Sequence, residues 1–204
     1  MEDWILFIGF LSALLFIFIF KAIRVYNGYK GKIFKEIYSS FIEYYFKYKY
    51  KKNLSVSGWL NQEIGFHRIL FNSYLNQEKK LVHEFVTIFH EKGIMVFYIV
   101  TSIGEYTGND TDKYWILKRD NKSYRILNPK AMISEHVDYI KSQFDADTIV
   151  DSCVLFTDNS DFKKLKTKLK CAHYHQLTDE LKQQNNIVSR LTITELFKTW
   201  TKKK

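Results

Sequence analysis

The run from Trp4 to Phe20, "WILFIGFLSALLFIFIF", has no charge, proline or amide side chain, and it constrains the chain more than any other stretch. As a helix its 17 residues cover roughly 25 Å at about 1.5 Å each, the lower end of what crosses a hydrocarbon core. Lys21 can snorkel to the interface and let Ala22 and Ile23 lengthen the span. A secretory signal opens on basic residues and ends at a small-x-small cleavage site, whereas this start is acidic, Glu2-Asp3, and no such site follows. The expectation is an uncleaved single-pass anchor, with a cleaved signal or a buried helix as alternatives. Nine Lys or Arg stand between Lys21 and Asn53 against Glu36 and Glu43. The positive-inside rule therefore predicts a cell-membrane protein with its N-terminus outside and everything after Lys21 in the cytoplasm.

Two cysteines, Cys153 and Cys171, are too few for a disulfide framework and too far apart for a close-spaced metal motif, which suits a reducing compartment. Lys and Arg outnumber Asp and Glu by 31 to 22, and 17% of residues are aromatic, so anionic lipid or nucleic acid is the expected partner. The tract "KAIRVYNGYKGKIFKEIYSSFIEYYFKYKYKK" concentrates both features. It predicts an amphipathic helix over roughly 33–50, either lying on an anionic leaflet or packing its aromatic face on the domain. Lys47, Lys49, Lys51 and Lys52 are the candidate lipid or nucleic-acid contacts. The chain divides into an anchor at 1–24, a basic aromatic segment at 25–57 and a globular domain at 58–204.

Within that domain, "RILFNSYL" (68–75) predicts a strand, and 80–89 with 94–101 predict a hairpin turning at His90-Glu91-Lys92-Gly93. "GEYTGNDTD" is expected as a polar loop, and "KYWILKRDNKSYRIL" as a second hairpin turning at Asp120-Asn121. Pro129 ends the strands, and Met132, Ile133, Val137 and Ile140 recur at helical spacing over 131–144. "TIVDSCVLFT" predicts a buried strand, followed by a short helix after Asp161, a strand over 169–174, and helices from Thr178 and Thr192. The order is α/β (α+β), antiparallel first and helix-connected later.

The ordered series "HRILFNSYL", "FHEKGIMVF", "GEYTG", "KYW", Asn128-Pro129 and His136 resembles the nuclease-related domain (NERD) family over about residues 60 to 160. The resemblance implies a restriction-endonuclease-like fold, a mixed sheet flanked by helices, here preceded by one transmembrane helix. It also implies a metal site made of an aspartate on the strand before the turn and a glutamate and lysine two apart on the strand after it. Hydrolysis of a phosphodiester with Mg²⁺ needs carboxylate oxygens for the hard cation and a nearby positive charge, and residues two apart on a strand share a face.

Counted from the shared "HEKG" turn, those three positions hold Phe85, Tyr98 and Val100, so every expected charge is missing. The family's "NPxxQ" ends here in Met132, and its early Gly-Glu pair does not occur before residue 60, where Glu43 is an unaligned substitute. Glu84 neighbours Phe85 but belongs to the opposite strand face. Glu105, Asp110 and Asp112 lack the spacing of a calcium loop, and they read as solvated turn residues. Cys171, His173 and His175 alternate and would share a face on a strand, yet three ligands without a fourth make a poor zinc site. His90 is assigned to the turn and His136 to helix packing.

The sequence thus predicts a membrane-anchored, non-catalytic pseudonuclease that binds nucleic acid or a protein partner, with no metal and no cofactor. The alternative is an active nuclease whose Mg²⁺ is held by relocated acids such as Glu43 or Glu84.

Overall fold

The computed structural model describes residues 2–30, 32–47, 56–75, 81–144, 149–184, 192–195 and 197–198. The chain is mixed α/β, with two sheets and an N-terminal apolar helix. It divides into two compact units, Met1–Asn53 and Leu54–Lys204.

In the first unit α1 runs Glu2–Tyr29, and its apolar stretch Phe7–Tyr29, 23 residues with a mean hydropathy of 2.2, is long enough to cross a membrane. Most of that stretch is exposed, with Phe18, Tyr26 and the buried Tyr29 meeting aromatic rings of the segment that follows it. The single helix expected over 33–50 is instead two short ones, α2 (Phe34–Ile37) and α3 (Phe41–Tyr45). Ser39 and Ser40 make the break. Ser40 is extended (φ −148°, ψ 157°) and its hydroxyl accepts the Glu43 amide, while the Glu43 carboxylate accepts the Ser39 amide and hydroxyl at 3.1 and 2.9 Å. Serine hydroxyls compete in this way with helical continuation and cap the next helix. The aromatic residues meet one another within this unit, Tyr29 and Tyr44 on each other and on Phe41, Phe34 and Tyr38, and the Tyr29 hydroxyl donates to the Tyr38 carbonyl.

In the second unit α4 (Gly58–Ile64) starts at Ser57, whose hydroxyl accepts the Leu60 amide and whose own amide donates to the Nε2 of buried His67. Strands β1 (His67–Leu75), β2 (Leu81–His90) and β3 (Gly93–Val100) form an antiparallel meander. Gly93, at φ 135°, makes the tight turn that a side chain would strain. Next come β4 (Glu105–Asn109), β5 (Tyr114–Arg119), β6 (Lys122–Leu127), α5 (Lys130–Lys141), β7 (Val150–Phe156), β8 (Asp161–Lys166), β9 (Cys171–His173), a 3-10 turn at Tyr174–Gln176 and α6 (Leu177–Lys182). Asp120 and Asn121 both take positive φ, 51° and 58°, the left-handed pair that closes a two-residue hairpin as expected.

The larger sheet has the order β1-β2-β3-β7-β9, and β7 and β9 join it in parallel. The smaller has the order β6-β5-β4-β8. Two expectations fail here for one reason. The "polar loop" contains β4, and the helix expected after Asp161 is β8, because the two pair in parallel across more than fifty residues. Such long-range pairing overrides weak local preference. One face of the large sheet carries Phe85, Phe89, Ile94, Val96, Tyr98, Val154 and Phe156 into a core shared with Trp115 and Leu117 of the small sheet and Ile133 and Ile140 of α5. The other face buries Val86, Ile88, Phe97 and Leu155, and the segment after α6 reaches it through Gln184, which donates to Met95 and Asp151.

Candidate functional site

The β2–β3 hairpin and α5 form the place where the resemblance expects a metal. Phe85 and Tyr98 are direct cross-strand partners, so their side chains rise from the same face. Their rings meet edge to face, with centroids 5.3 Å apart. Val100 lies two residues beyond Tyr98 on that face and packs against the same core. From α5, the buried ring of His136 lies nearly parallel to Phe85 at 4.3 Å and 20°. Sequence reasoning placed His136 in helix packing, and here it is packing that closes the site.

The chain before α5 sets where His136 falls. Asn128 donates to the carbonyls of Asn109 and Asp112 at 3.3 and 2.9 Å and accepts the Lys130 amide at 3.0 Å. The Asn128-Pro129 pair thus ties the β4–β5 connection to the first turn of α5, a structural role.

Burial pushes the Tyr98 phenol up to about 12, so it is neutral at physiological pH. Tyr106, whose phenol donates to the Ser102 carbonyl at 2.6 Å, is raised too, by burial and then by Tyr98. Glu84 projects from the opposite face, since it neighbours Phe85 along β2; burial, and after it the charge of Glu84, raises the phenol of Tyr174, which donates to the Val100 carbonyl at 2.9 Å. Glu43 belongs to the first unit, where Ser39 and Lys47 hold its carboxylate, the ammonium at 2.7 Å.

The other candidate acids serve local structure. Glu105 opens β4 and pairs with Lys164 at 2.6 Å. Asp110 accepts the Thr167 hydroxyl at 2.5 Å and the Lys168 amide, which hold its carboxyl below the usual range, and Lys130 lies 3.5 Å away. Asp112 accepts the Asn109 amide at 2.8 Å. Cys171 and His173 share a face of β9, but His175 falls in the 3-10 turn, where its Nδ1 meets Asp158 at 2.8 Å. Among the described residues no group of three or more His, Cys, Asp or Glu side chains is placed to hold a metal.

No family model, characterised protein or solved structure matches the chain.

Of the expected lysine contacts, Lys47 is paired with Glu43, and Lys49, Lys51 and Lys52 lie outside the described residues. A basic surface that sequence reasoning missed lies on the outer face of the small sheet. Cross-strand register puts Lys118, Glu105 and Asp161 in one row and Arg125, Ile116, Thr107 and Lys164 in the next, while Leu127 pairs with Tyr114 and Asn109 with Lys166. Lys118, Arg125, Lys164 and Lys166 are all exposed. A second omission is a buried polar chain. His90, assigned to the turn, is the last residue of β2 and fully buried, with Nε2 2.5 Å from Gln184 Oε1, and the Gln184 amide donates to Asp151 at 2.8 Å. Burial pushes His90 down to about 4, so it is neutral at physiological pH. Its partner stands 94 residues away, beyond any local pattern.

Proposed function

We propose that this chain is a membrane-tethered, NERD-like pseudonuclease that binds nucleic acid on its cytoplasmic side without cutting it. The observation that carries the reading is the aromatic packing of Phe85 and Tyr98, with His136 stacked on Phe85, at positions where the resemblance calls for metal ligands. Mg²⁺ takes near-octahedral oxygen ligands and keeps several waters. A neutral phenol between an aromatic ring and valine offers one weak donor and no room for them. The mixed five-stranded sheet with α5 packed on its core face is the feature that supports the restriction-endonuclease-like assignment. The exposed Lys118, Arg125 and Lys166, beside Lys164 in its pair with Glu105, supply charge complementary to phosphates, which positions a polyanion without specifying its sequence. The apolar α1 and the lysines behind it support a single span with the N-terminus outside.

The test uses the full chain in lipid nanodiscs with DNA and RNA substrates and Mg²⁺ or Mn²⁺. Binding without cleavage is expected, weakening with salt. Three phosphate contacts on duplex DNA give a log–log slope of about −2.7, which Lys118→Glu with Arg125→Glu should reduce. Metal-dependent cleavage that Glu43→Ala or Glu84→Ala abolishes would overturn the reading in favour of an active nuclease.

A further inference from the structure

Strands β5 and β6 hold no acid, and they carry the basic residues Lys118, Arg119, Lys122 and Arg125. Only Arg119 is paired, with Asp120 of the turn at 3.5 Å. β6 is an edge of the small sheet, and every residue of it but Ile126 is exposed. Two tyrosines stand among these charges, Tyr114 at 40% exposure and Tyr124 at 41%. Tyr114 lies across from Leu127, on the face that carries Lys118 and Arg125, whereas Tyr124 lies across from Leu117 on the other face. Each ring has a cation over it, the Lys113 ammonium 5.5 Å from the Tyr114 centroid and the Arg119 guanidinium 5.8 Å from that of Tyr124. Lys113 and Leu127, the neighbours of Tyr114, also line a cavity of about 450 Å³ with Lys130, Ala131 and Met132. The two acids in its wall are engaged, Asp110 by Thr167, the Lys168 amide and Lys130, and Asp112 by the Asn109 amide.

Cations that contact phosphates accept a duplex and a single strand alike, because both present the same backbone. A duplex seals its base faces inside the stack, while a single strand offers each of them to an aromatic ring. Exposed tyrosines interleaved with cations therefore add affinity that only unpaired nucleic acid can use. We propose that the β5–β6 hairpin binds single-stranded nucleic acid, with a base stacked on Tyr114, phosphates at Arg125 and Lys118, and the strand continuing round the β6 edge to Tyr124. It rests on the reading of this sheet as a nucleic-acid surface and narrows that reading to unpaired strands.

The test titrates the full chain, in nanodiscs of zwitterionic phospholipid, into three fluorescent oligonucleotides of equal length: a single strand, its duplex, and an abasic strand that keeps the sugar-phosphate backbone alone. The base-bearing strand should bind about 5- to 100-fold more tightly than the abasic one, and more tightly than the duplex. Tyr114→Ala should remove most of that advantage without changing the salt slope, and Tyr114→Phe should keep it, whereas Lys118→Glu with Arg125→Glu should flatten the slope for all three. A duplex or abasic strand bound as tightly as the single strand, or an advantage that survives both Tyr114→Ala and Tyr124→Ala, overturns the stacking and leaves the phosphate contacts standing. No binding of any of the three removes the nucleic-acid reading and this proposal with it.

Discussion

Replacing Phe85 tests whether this face is packing or a site. Its side chain is 2% exposed and wedged between Tyr98 and His136. Truncating a buried phenylalanine costs about 3–5 kcal/mol, and the loss of two ring contacts puts Phe85→Ala in the upper half of that range. A unit of this size loses roughly 2–4 °C in Tm per kcal/mol, so the melting point should fall by about 8–20 °C. Phe85→Asp should lose at least as much, and more as the pH rises above about 4, where the unfolded carboxyl ionises and the buried one resists. Glu84→Ala, on the opposite face, should shift stability by less than about 1 kcal/mol. Thermal unfolding of the full chain in detergent, followed by the near-UV signal of Trp115, which is 1% exposed in the same core, reads all three. A Phe85→Asp protein that melts no lower than wild type, or that Mg²⁺ stabilises, would show an open ligand position and refute the packing argument.

Acid should also destabilise the fold through His90. Its folded pKa of about 4 lies below the unfolded 6.5, so stability is intact above about pH 6.5 and falls by about 1.4 kcal/mol per unit down to pH 4, about 3 kcal/mol in all. Urea titrations from pH 7.5 to 4 should show the slope in wild type and a shallower one in His90→Gln; equal slopes would remove His90 as the cause. Gly104 has φ 152°, and a Cβ there would lie 2.4 Å from Leu117 Cδ1 and 2.5 Å from the Lys118 carbonyl oxygen. Gly104→Ala should therefore cost at least about 2 kcal/mol, and a wild-type-like melting curve would contradict it. A reporter fused after Lys204 should be active in the cytoplasm, and activity on the outer side alone would reverse the orientation.

Local chemistry was enough to read the apolar N-terminal helix, because its 17 uncharged residues sit within one continuous helix. It was enough for the β2–β3 hairpin and for the left-handed Asp120-Asn121 turn, each set by residues within a few positions of one another. The side-chain period of two put Phe85, Tyr98 and Val100 on a shared face before any coordinates. What local pattern misread were the pieces whose form depends on distant partners. β4 and β8 look like loop and helix until they pair in parallel, and the 33–50 segment reads as one amphipathic helix until two serine hydroxyls claim its backbone. The stacking of His136 on Phe85, the burial of His90 against Gln184, and the basic rows of the small sheet all join residues far apart in the chain. Periodicity says which face a side chain takes. Only the packed chain decides what stands opposite it, because that partner is selected by the burial of the whole core.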